Sequence, residues 1–184
     1  MIEGIENDSS KNFSWKNEVK EFISAAIWAV ILAFLIKTFI FQLTYVPTGS
    51  MIPTIMPNDR VVVLKFWYKF NPIERGQILV FDPPGQEAKS PFIKRVIGLP
   101  GETIEIKNNT VYINGKPINE NYLPVKIEME PFGPYSIPKD AIFVMGDNRQ
   151  NSADSRYFGS VPLKNIKGRA VLTYWPLNRF KILK

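Results

Sequence analysis

The longest apolar stretch of the chain extends from Phe22 to Phe41, and its main interruptions are Lys37 and Thr38. At the rise of an α-helix, a stretch of this length spans the hydrocarbon core of a bilayer, which is about 30 Å thick. A helix buried inside a globular protein is one alternative, but such helices rarely continue this far without a polar face. A cleavable signal is another, but its apolar region is shorter and ends in small residues. The pattern therefore predicts one uncleaved transmembrane helix over residues 22–41.

The basic residues beside this stretch predict its orientation. Three lysines lie among the first 20 residues, whereas after Lys37 the next basic residue is Arg60. Lysine and arginine next to a membrane span favour the cytoplasmic side. We therefore expect residues 1–21 to form a cytoplasmic tail and residues 42–184 to form an extracytoplasmic domain.

Past the apolar stretch, short runs of β-branched and aromatic residues alternate with turn-forming residues, which predicts a mostly β domain. Asn108-Asn109 and Asn114-Gly115 predict two-residue hairpin turns, because these residues accept the positive φ that such turns need. We expect an antiparallel β-sheet with a small inserted β-subdomain at about 108–140, where five prolines mark residues 116–138 as an excursion. The predicted strands cover residues 61–66, 78–81, 92–97, 103–107, 110–113, 141–146 and 170–175.

Residues 65–72, KFWYKFNP, place four aromatic side chains among lysines. A strand with one face in the core would produce this pattern. An aromatic edge resting in the membrane interface, where Trp and Tyr concentrate, would produce it equally well. The sequence favours neither alternative.

The composition removes several classes of chemistry. Neither cysteine nor histidine is present, which excludes disulfides, cysteine nucleophiles and Ser-His-Asp catalysis. Nearly all zinc-hydrolase sites are excluded too, and we predict no metal and no cofactor. The net charge is +6, and residues 1–21 carry five acidic and three basic side chains, a net −2, which leaves +8 elsewhere. Because these basic residues are scattered, we predict membrane lipid rather than nucleic acid as a partner.

The segment VPTGSMIPTIMPNDR, residues 46–60, holds a candidate nucleophile. Gly49 and Pro53 bracket Ser50 and would keep it on a rigid, bent loop. Because histidine is absent, the base for this hydroxyl must be lysine, aspartate, glutamate or a free amine. Ser50 lies nine residues after Phe41, and such a tether reaches at most about 30 Å. We therefore expect Ser50 at or near the outer membrane surface.

The candidate base is Lys94, in PFIKRVIGLPGE at residues 91–102. Carboxylates titrate too low for this role, whereas burial among apolar groups can lower the pKa of a lysine by several units. In a strand, Phe92 and Val96 share the face of Lys94, while Arg95, which stays protonated, points to the other face. A lysine in a strand is more often a solvated charge, so this segment alone does not decide its role.

Residues 144–159, VMGDNRQNSADSRYFG, form a polar loop after a predicted strand. Asx hydrogen bonds and an Asp-Arg pair would account for this composition. A cluster that orients a neutral lysine, with Ser152 as its hydroxyl partner, would also account for it. Such loops are common, and this one alone does not separate the two alternatives.

Together, GSMIPT, FIKRVIGLPGE and GDNRQNSADSR, in that order after an apolar anchor, resemble the bacterial type I signal peptidase family. The resemblance extends over nearly the whole chain, to VPLKNIKGRAVLTYWP at residues 161–176. It implies a membrane-anchored serine endopeptidase with a Ser/Lys dyad. Such an enzyme removes signal peptides from exported preproteins at Ala-x-Ala sites, on the outer face of the bacterial cytoplasmic membrane.

The resemblance implies specific roles for four residues of this chain. Ser50 matches the nucleophile and Lys94 its general base. Thr48 stands where the family more often has serine, and its hydroxyl is implied to line the oxyanion hole together with the Ser50 N–H. Ser152 matches the serine that hydrogen-bonds the lysine and positions it.

Other motif positions imply support for this dyad and pockets for the substrate. Asp154 and Arg156 match an ion pair that braces the site, and Asp147 belongs to the same motif. The implied pockets are shallow and admit alanine-sized side chains at the −1 and −3 positions. The residues at pocket positions are Val46, Pro47, Met51, Ile93, Met145 and Ala153.

Two other functions stay open at this point. A dedicated peptidase of the same family would process one substrate class, such as a pilin. A membrane-tethered β-domain would bind partners without catalysis, but it leaves the co-occurrence of the three motifs unexplained. Self-cleaving repressors also use serine and lysine, but they carry an N-terminal DNA-binding domain in place of a membrane span.

Overall fold

The N-terminal part of the described chain is helical. The computed structural model describes residues 15–66, 70–85, 90–124 and 127–183. The chain divides into two compact units, Met1–Lys37 and Thr38–Lys184. Helix α1, Trp15–Phe39, contains 25 residues. Among the described residues, no helix combines the length and the apolar character needed to cross a membrane.

The observed bounds of this helix differ from those predicted. Helix α1 begins at Trp15, within the predicted tail, whose residues 1–14 lie outside the described part of the chain. Phe41, predicted as the last helical residue, is instead the first residue of a strand, where it pairs with Leu64. The predicted segment 22–41 is therefore helical only as far as Phe39.

The rest of the described chain is mostly antiparallel β-sheet, which confirms the predicted fold class for this part. A short helix, α2 (Ser155–Phe158), and two 3-10 turns, Leu163–Asn165 and Leu177–Arg179, lie near its C-terminal end. The described strands, in chain order, are β1 (Phe41–Tyr45), β2 (Arg60–Leu64), β3 (Ile78–Phe81), β4 (Phe92–Gly98), β5 (Thr103–Lys107), β6 (Thr110–Ile113), β7 (Lys116–Pro117), β8 (Phe132–Ser136), β9 (Ala141–Met145), β10 (Val161–Pro162), β11 (Ile166–Trp175) and β12 (Lys181–Ile182).

These strands form two sheets. The main sheet has eight strands in the order β1-β2-β11-β3-β4-β9-β10, with β12 paired to β11. The second has four strands in the order β7-β6-β5-β8, of which β6, β7 and β8 lie in the predicted insertion at about 108–140 and β5 precedes it. Neighbouring strands are antiparallel in both sheets. The central position of β4, between β3 and β9, keeps its residues away from an open sheet edge.

The two hairpin turns of the second sheet form as the sequence predicts. Asn108 and Asn109 join β5 to β6 with φ angles of 49° and 59°. Asn114 and Gly115 join β6 to β7 with φ angles of 51° and 76°. Asparagine and glycine adopt this left-handed backbone more readily than other residues, which is why these pairs are strong hairpin signals.

One of the apolar clusters in the core fixes the connection between β1 and β2, which contains Ser50. Strands β2, β3, β4 and β11 contribute to this cluster, and so does the β1–β2 connection. Its members are Val46, Met51, Ile55, Val61, Val63, Ile78, Val80, Ile93, Ala170 and Leu183. The connection is therefore part of the core and not a loop lying over it.

The aromatic segment 65–72 is described only in part, since residues 67–69 lie outside the described residues. Strand β2 ends at Leu64, before this segment begins. Phe66 and Phe70 expose 38% and 84% of their surface. The described residues of the segment therefore do not form a strand with a buried face.

Candidate active site

Ser50 lies on a tight turn that apolar side chains hold against the core. Val46 and Met51, on either side of it, are 1% and 0% exposed. The turn is closed by the N–H of Ile52, which donates to the carbonyl oxygen of Gly49 at 3.2 Å. Ser50 itself is buried, so its hydroxyl is presented from a rigid backbone.

Lys94 reaches this hydroxyl from the middle of β4. Its Nζ donates to Ser50 Oγ at 2.7 Å and to the carbonyl oxygen of Ile93 at 3.1 Å. The Nζ also lies 5.3 Å from the centre of the Phe92 ring. With only 4% of its surface exposed, Lys94 is not the solvated charge that an isolated lysine in a strand usually is.

Burial changes the acid-base behaviour of Lys94. Loss of solvation lowers its pKa from 10.5 to about 8, and the negative charges of Asp154 and Asp147 partly oppose this change. At pH 7 a lysine with a pKa of about 8 is neutral in about a tenth of molecules. At the ordinary pKa the neutral fraction is about 300-fold smaller. The site therefore supplies a usable base near neutral pH.

Thr48 lies beside the same hydroxyl. Its Oγ1 is 3.5 Å from Ser50 Oγ, and its side chain is exposed. Among the described residues, no acceptor takes a hydrogen bond from the Ser50 N–H. The Thr48 hydroxyl and the Ser50 N–H are thus two neutral donors close to the attacking oxygen.

Two ion pairs balance the carboxylates near Lys94. Asp147 accepts from Arg95 at 2.8 and 2.6 Å, a partner that the sequence analysis did not identify because the two residues lie 52 positions apart. Asp154 accepts from Arg156 at 2.8 Å on each oxygen, and its Oδ2 also accepts from the Gly146 N–H at 3.0 Å. In the described part of the chain, no group of three or more acidic side chains is arranged to hold a metal.

Ser152 is buried between Gly146 and the turn of Ser50, but its Oγ has no hydrogen-bond partner among the described residues. The hydrogen bond from Ser152 to Lys94 that the resemblance implies is therefore not present in this structure. A Cβ at Gly146 would collide with the Ser152 side chain and with the Ser50 carbonyl oxygen. Only glycine leaves room for this contact between the two loops.

The sequence analysis missed two further residues of the polar loop. Asn148 donates its main-chain N–H to the Ser50 carbonyl oxygen at 3.0 Å and its Nδ2 to the Gly49 carbonyl oxygen at 3.1 Å. Arg149 forms a bidentate ion pair with Glu120, of which one bond is 2.9 Å, and donates to the Gly146 carbonyl oxygen at 3.1 Å. Both belong to the motif GDNR, but no local pattern indicates their distant partners.

A cavity of about 500 Å³ opens beside Ser50 and Lys94. Four of the predicted pocket residues, Val46, Pro47, Ile93 and Ala153, line it. Met51 and Met145 do not line it, because both are fully buried in core clusters. Lining residues that the sequence did not assign to the pocket are Thr44, Tyr45, Val80, Ser90, Pro91, Phe92 and Asn151.

Comparisons with known proteins identify the family of this chain. A family model described as signal peptidase, peptidase S26, matches residues 19–175. Signal peptidase I from Leptolyngbya laminosa is 46% identical over 157 residues, which cover 82% of this chain and 77% of the relative.

Two other relatives extend over more of the chain. A probable signal peptidase I-2 from Synechocystis sp. is 41% identical over 189 aligned residues, which cover 100% of this chain and 86% of the relative. Signal peptidase I P from Bacillus subtilis subsp. natto is 41% identical over 179 residues, which cover 92% of this chain and 96% of the relative.

Proposed function

The chain belongs to the signal peptidase family, peptidase S26, and we propose that it removes signal peptides from exported preproteins with a dyad of Ser50 and Lys94. The observation that supports this dyad best is the 2.7 Å hydrogen bond between Lys94 Nζ and Ser50 Oγ. A serine hydroxyl needs a base at hydrogen-bond distance, and this lysine combines that distance with a pKa lowered to about 8.

In the first chemical step, neutral Lys94 accepts the Ser50 proton while Oγ attacks the scissile carbonyl carbon. The carbonyl electron pair moves onto its oxygen, and the resulting oxyanion accepts hydrogen bonds from the Ser50 N–H and the Thr48 hydroxyl. One such donor contributes about 3–4 kcal/mol to catalysis in serine proteases.

In the second step, the protonated Lys94 gives its proton to the leaving amine as the C–N bond breaks. The product is an acyl-enzyme on Ser50. Water then attacks the ester carbon, Lys94 takes its proton, and the Ser50 oxygen leaves and recovers a proton. Asp147 and Asp154 touch no reacting bond in this scheme, and their negative charges act on Lys94 by raising its pKa against the larger effect of burial.

The cavity indicates what this site accepts. Its lining includes the buried side chains of Val46 and Ile93 and the exposed residues Pro47 and Ala153, all of them apolar. Small side chains at the −1 and −3 positions of an extended substrate fit such a surface. A strand-like substrate would also gain main-chain hydrogen bonds along an enzyme strand.

We further propose that residues 22–39 of helix α1 anchor the enzyme in the bacterial cytoplasmic membrane, with the catalytic domain on the outer face. The support is the apolar sequence and the exposure of its large side chains. Phe22, Trp28 and Phe34 of helix α1 expose 66–77% of their surface, an arrangement suited to lipid. An anchor would confine the enzyme and a membrane-inserted preprotein to one surface and so raise their effective concentration.

The test is cleavage of a preprotein with an Ala-x-Ala site by the full chain in detergent micelles. We expect the wild type to cleave at that site and Ser50→Ala and Lys94→Met to lose at least about 1,000-fold in kcat/KM. The wild-type rate should rise with pH through about 8, because the neutral form of Lys94 is the base. Full activity of Lys94→Met, or a rate that falls as pH rises from 6 to 8, would exclude this dyad.

A further inference from the structure

Asn148 holds both peptide groups that flank the Ser50 Cα. Its main-chain N–H donates to the Ser50 carbonyl oxygen at 3.0 Å, and its side-chain Nδ2 donates to the Gly49 carbonyl oxygen at 3.1 Å. The residue comes from the loop after β9, 98 positions along the chain from Ser50 (148 − 50). None of the motif roles described above includes this contact.

The second bond has a consequence for the Ser50 N–H. The peptide group that joins Gly49 to Ser50 is planar and trans, so its C=O and N–H point in opposite directions. A donor that fixes the Gly49 carbonyl oxygen on one side therefore fixes the direction of the Ser50 N–H on the other. The Ile52 N–H, at 3.2 Å, is the other donor to this oxygen, and it comes from within the turn itself.

We propose that Asn148 is a positioning residue that aims and polarises the Ser50 N–H as an oxyanion donor, a role that rests on the proposed function above. A hydrogen bond to the carbonyl oxygen of a peptide group strengthens the N–H of the same group as a donor. Asn148 thus acts on the transition state through the backbone, without touching the substrate.

The surroundings of Asn148 make it a firm support. The next residue, Arg149, is 3% exposed and bonded to the Gly146 carbonyl oxygen and to Glu120. Asp147, on the other side, is held by Arg95. Because both neighbours are tied to other parts of the domain, the amide of Asn148 cannot follow small movements of the Ser50 turn.

Asparagine also suits this place chemically. Its amide is a neutral donor, so it adds no charge near Lys94. An aspartate of almost the same shape could not donate to the Gly49 carbonyl oxygen and would set two acceptors against each other. Asn148→Ala therefore removes the donor to the Gly49 carbonyl oxygen, whereas Asn148→Asp replaces it with a carboxylate that repels this oxygen.

The experiment measures kcat, KM and thermal stability of the full chain in detergent for both variants and for Gln150→Glu, an exposed residue in the same loop. For Asn148→Ala we expect kcat to fall about tenfold with KM within about twofold of wild type. Its pH profile should keep the wild-type acid limb, since no charge near Lys94 changes. Asn148→Asp should lose more than Asn148→Ala, and Gln150→Glu should keep its kcat.

A peptide aldehyde provides a second measurement. Neutral Lys94 takes the Ser50 proton as Oγ adds to the aldehyde carbon, and the C=O electron pair moves onto the carbonyl oxygen. That oxygen stays negative or takes the same proton back from Lys94, and no group leaves. Affinity for this adduct should fall in Asn148→Ala by about the same factor as kcat. On a Ser50→Ala background, Asn148→Ala should not change the affinity for an uncleaved substrate peptide.

Several outcomes would overturn the inference. Unchanged kcat in Asn148→Ala would do so, as would a loss confined to KM or an equal loss of affinity for aldehyde and uncleaved peptide. If the acid limb of the pH–rate profile shifted in Asn148→Ala, the loss of kcat would instead come from a change in the Ser50–Lys94 dyad. These results differ from failure of the proposed function, in which the wild type itself would not cleave, or Ser50→Ala would cleave as well as wild type.

Discussion

The two loops that meet at the Ser50 carbonyl group are held in place by different forces. The connection between β1 and β2 is fixed by apolar side chains, with Met51 and Ile55 fully buried in the core. The loop after β9 is fixed by charges, since Asp147, Arg149 and Asp154 each form a buried ion pair.

This difference matters because Lys94 lies between the loops. Apolar side chains position Ser50 without adding charge, and they act on the pKa of Lys94 only by excluding solvent. The polar loop brings two carboxylates, Asp147 and Asp154, that raise this pKa against the larger effect of burial. The arginine partner of each carboxylate offsets that influence. The first loop therefore contributes position and desolvation, whereas the second contributes position and charge.

The largest effect should come from forcing the loops apart. In Gly146→Ala the new methyl group collides with the Ser50 carbonyl oxygen and the Ser152 side chain, and one loop has to move. Displacements of about 1 Å at an active site can cost about 100-fold in rate. We expect kcat to fall at least about 100-fold, measured on a preprotein substrate.

The matched control is Gln150→Ala, which changes an exposed side chain of the same loop. It should keep its activity. If Gly146→Ala also kept wild-type kcat, the close contact between the two loops would have no role in catalysis.

Breaking one ion pair tests the electrostatic part of the comparison. Arg95→Met leaves the Asp147 carboxylate unpaired near Lys94, so the pKa of Lys94 should rise and the acid limb of the rate profile should move to higher pH. Asp147→Asn removes a negative charge, so the limb should move to lower pH. Both variants should lose about 3–5 kcal/mol of stability, because each leaves a buried charge without its partner.

A pH–rate profile of each variant checks these signs, and chemical denaturation checks the stability. Arg75→Met is the control, since Arg75 pairs with Glu102 at a more exposed site. If the acid limb moved in the same direction in Arg95→Met and in Asp147→Asn, a charge effect would be contradicted, and a general disturbance of the loop would be indicated.

A cavity in the apolar cluster that holds the β1–β2 connection should lower the free energy of unfolding and leave the pKa of Lys94 unchanged. Ile55 is 0% exposed, and Ile55→Ala is expected to lower the free energy of unfolding by about 2–5 kcal/mol. The acid limb should stay where it is in wild type, because no charge changes. Denaturation curves and pH profiles test the two parts separately.

Ile182→Ala serves as the comparison, because that isoleucine is 73% exposed and should change stability by less than about 0.5 kcal/mol. A shifted acid limb in Ile55→Ala would show that the apolar loop also controls the pKa of Lys94.

Local features of this fold could be predicted from the sequence because neighbouring residues determine them. The left-handed turns at Asn108-Asn109 and Asn114-Gly115 depend on backbone preferences of the turn residues themselves. The β-rich runs from residue 61 onward are likewise strands wherever their apolar pattern is strong. The end of helix α1 was harder to place, because Phe41 becomes a strand residue only through its pairing with β2.

In the site, the resemblance implied the pairing of Ser50 with Lys94 and of Asp154 with Arg156, but nothing in the sequence indicated that Arg95 is the partner of Asp147. Ser50 and Lys94 are 44 positions apart and Arg95 and Asp147 are 52 apart, and only the sheet brings each pair together. The same limit explains Met51 and Met145, which belong to the motifs but are fully buried in core clusters and do not line the cavity. The contacts of Asn148 depend on two loops meeting, which no single segment indicates.

The burial of Lys94 also has a thermodynamic consequence for folding. An unfolded chain binds a proton at this amine with the ordinary pKa of 10.5, whereas the folded chain binds it at about 8. The contribution of Lys94 to the free energy of unfolding is therefore greatest above pH 10.5, and it falls as the pH drops from 10.5 to 8. Below that range the folded form has lost about 3 kcal/mol relative to a chain whose residue 94 does not titrate. At neutral pH the feature that makes this amine a base thus makes the domain easier to unfold.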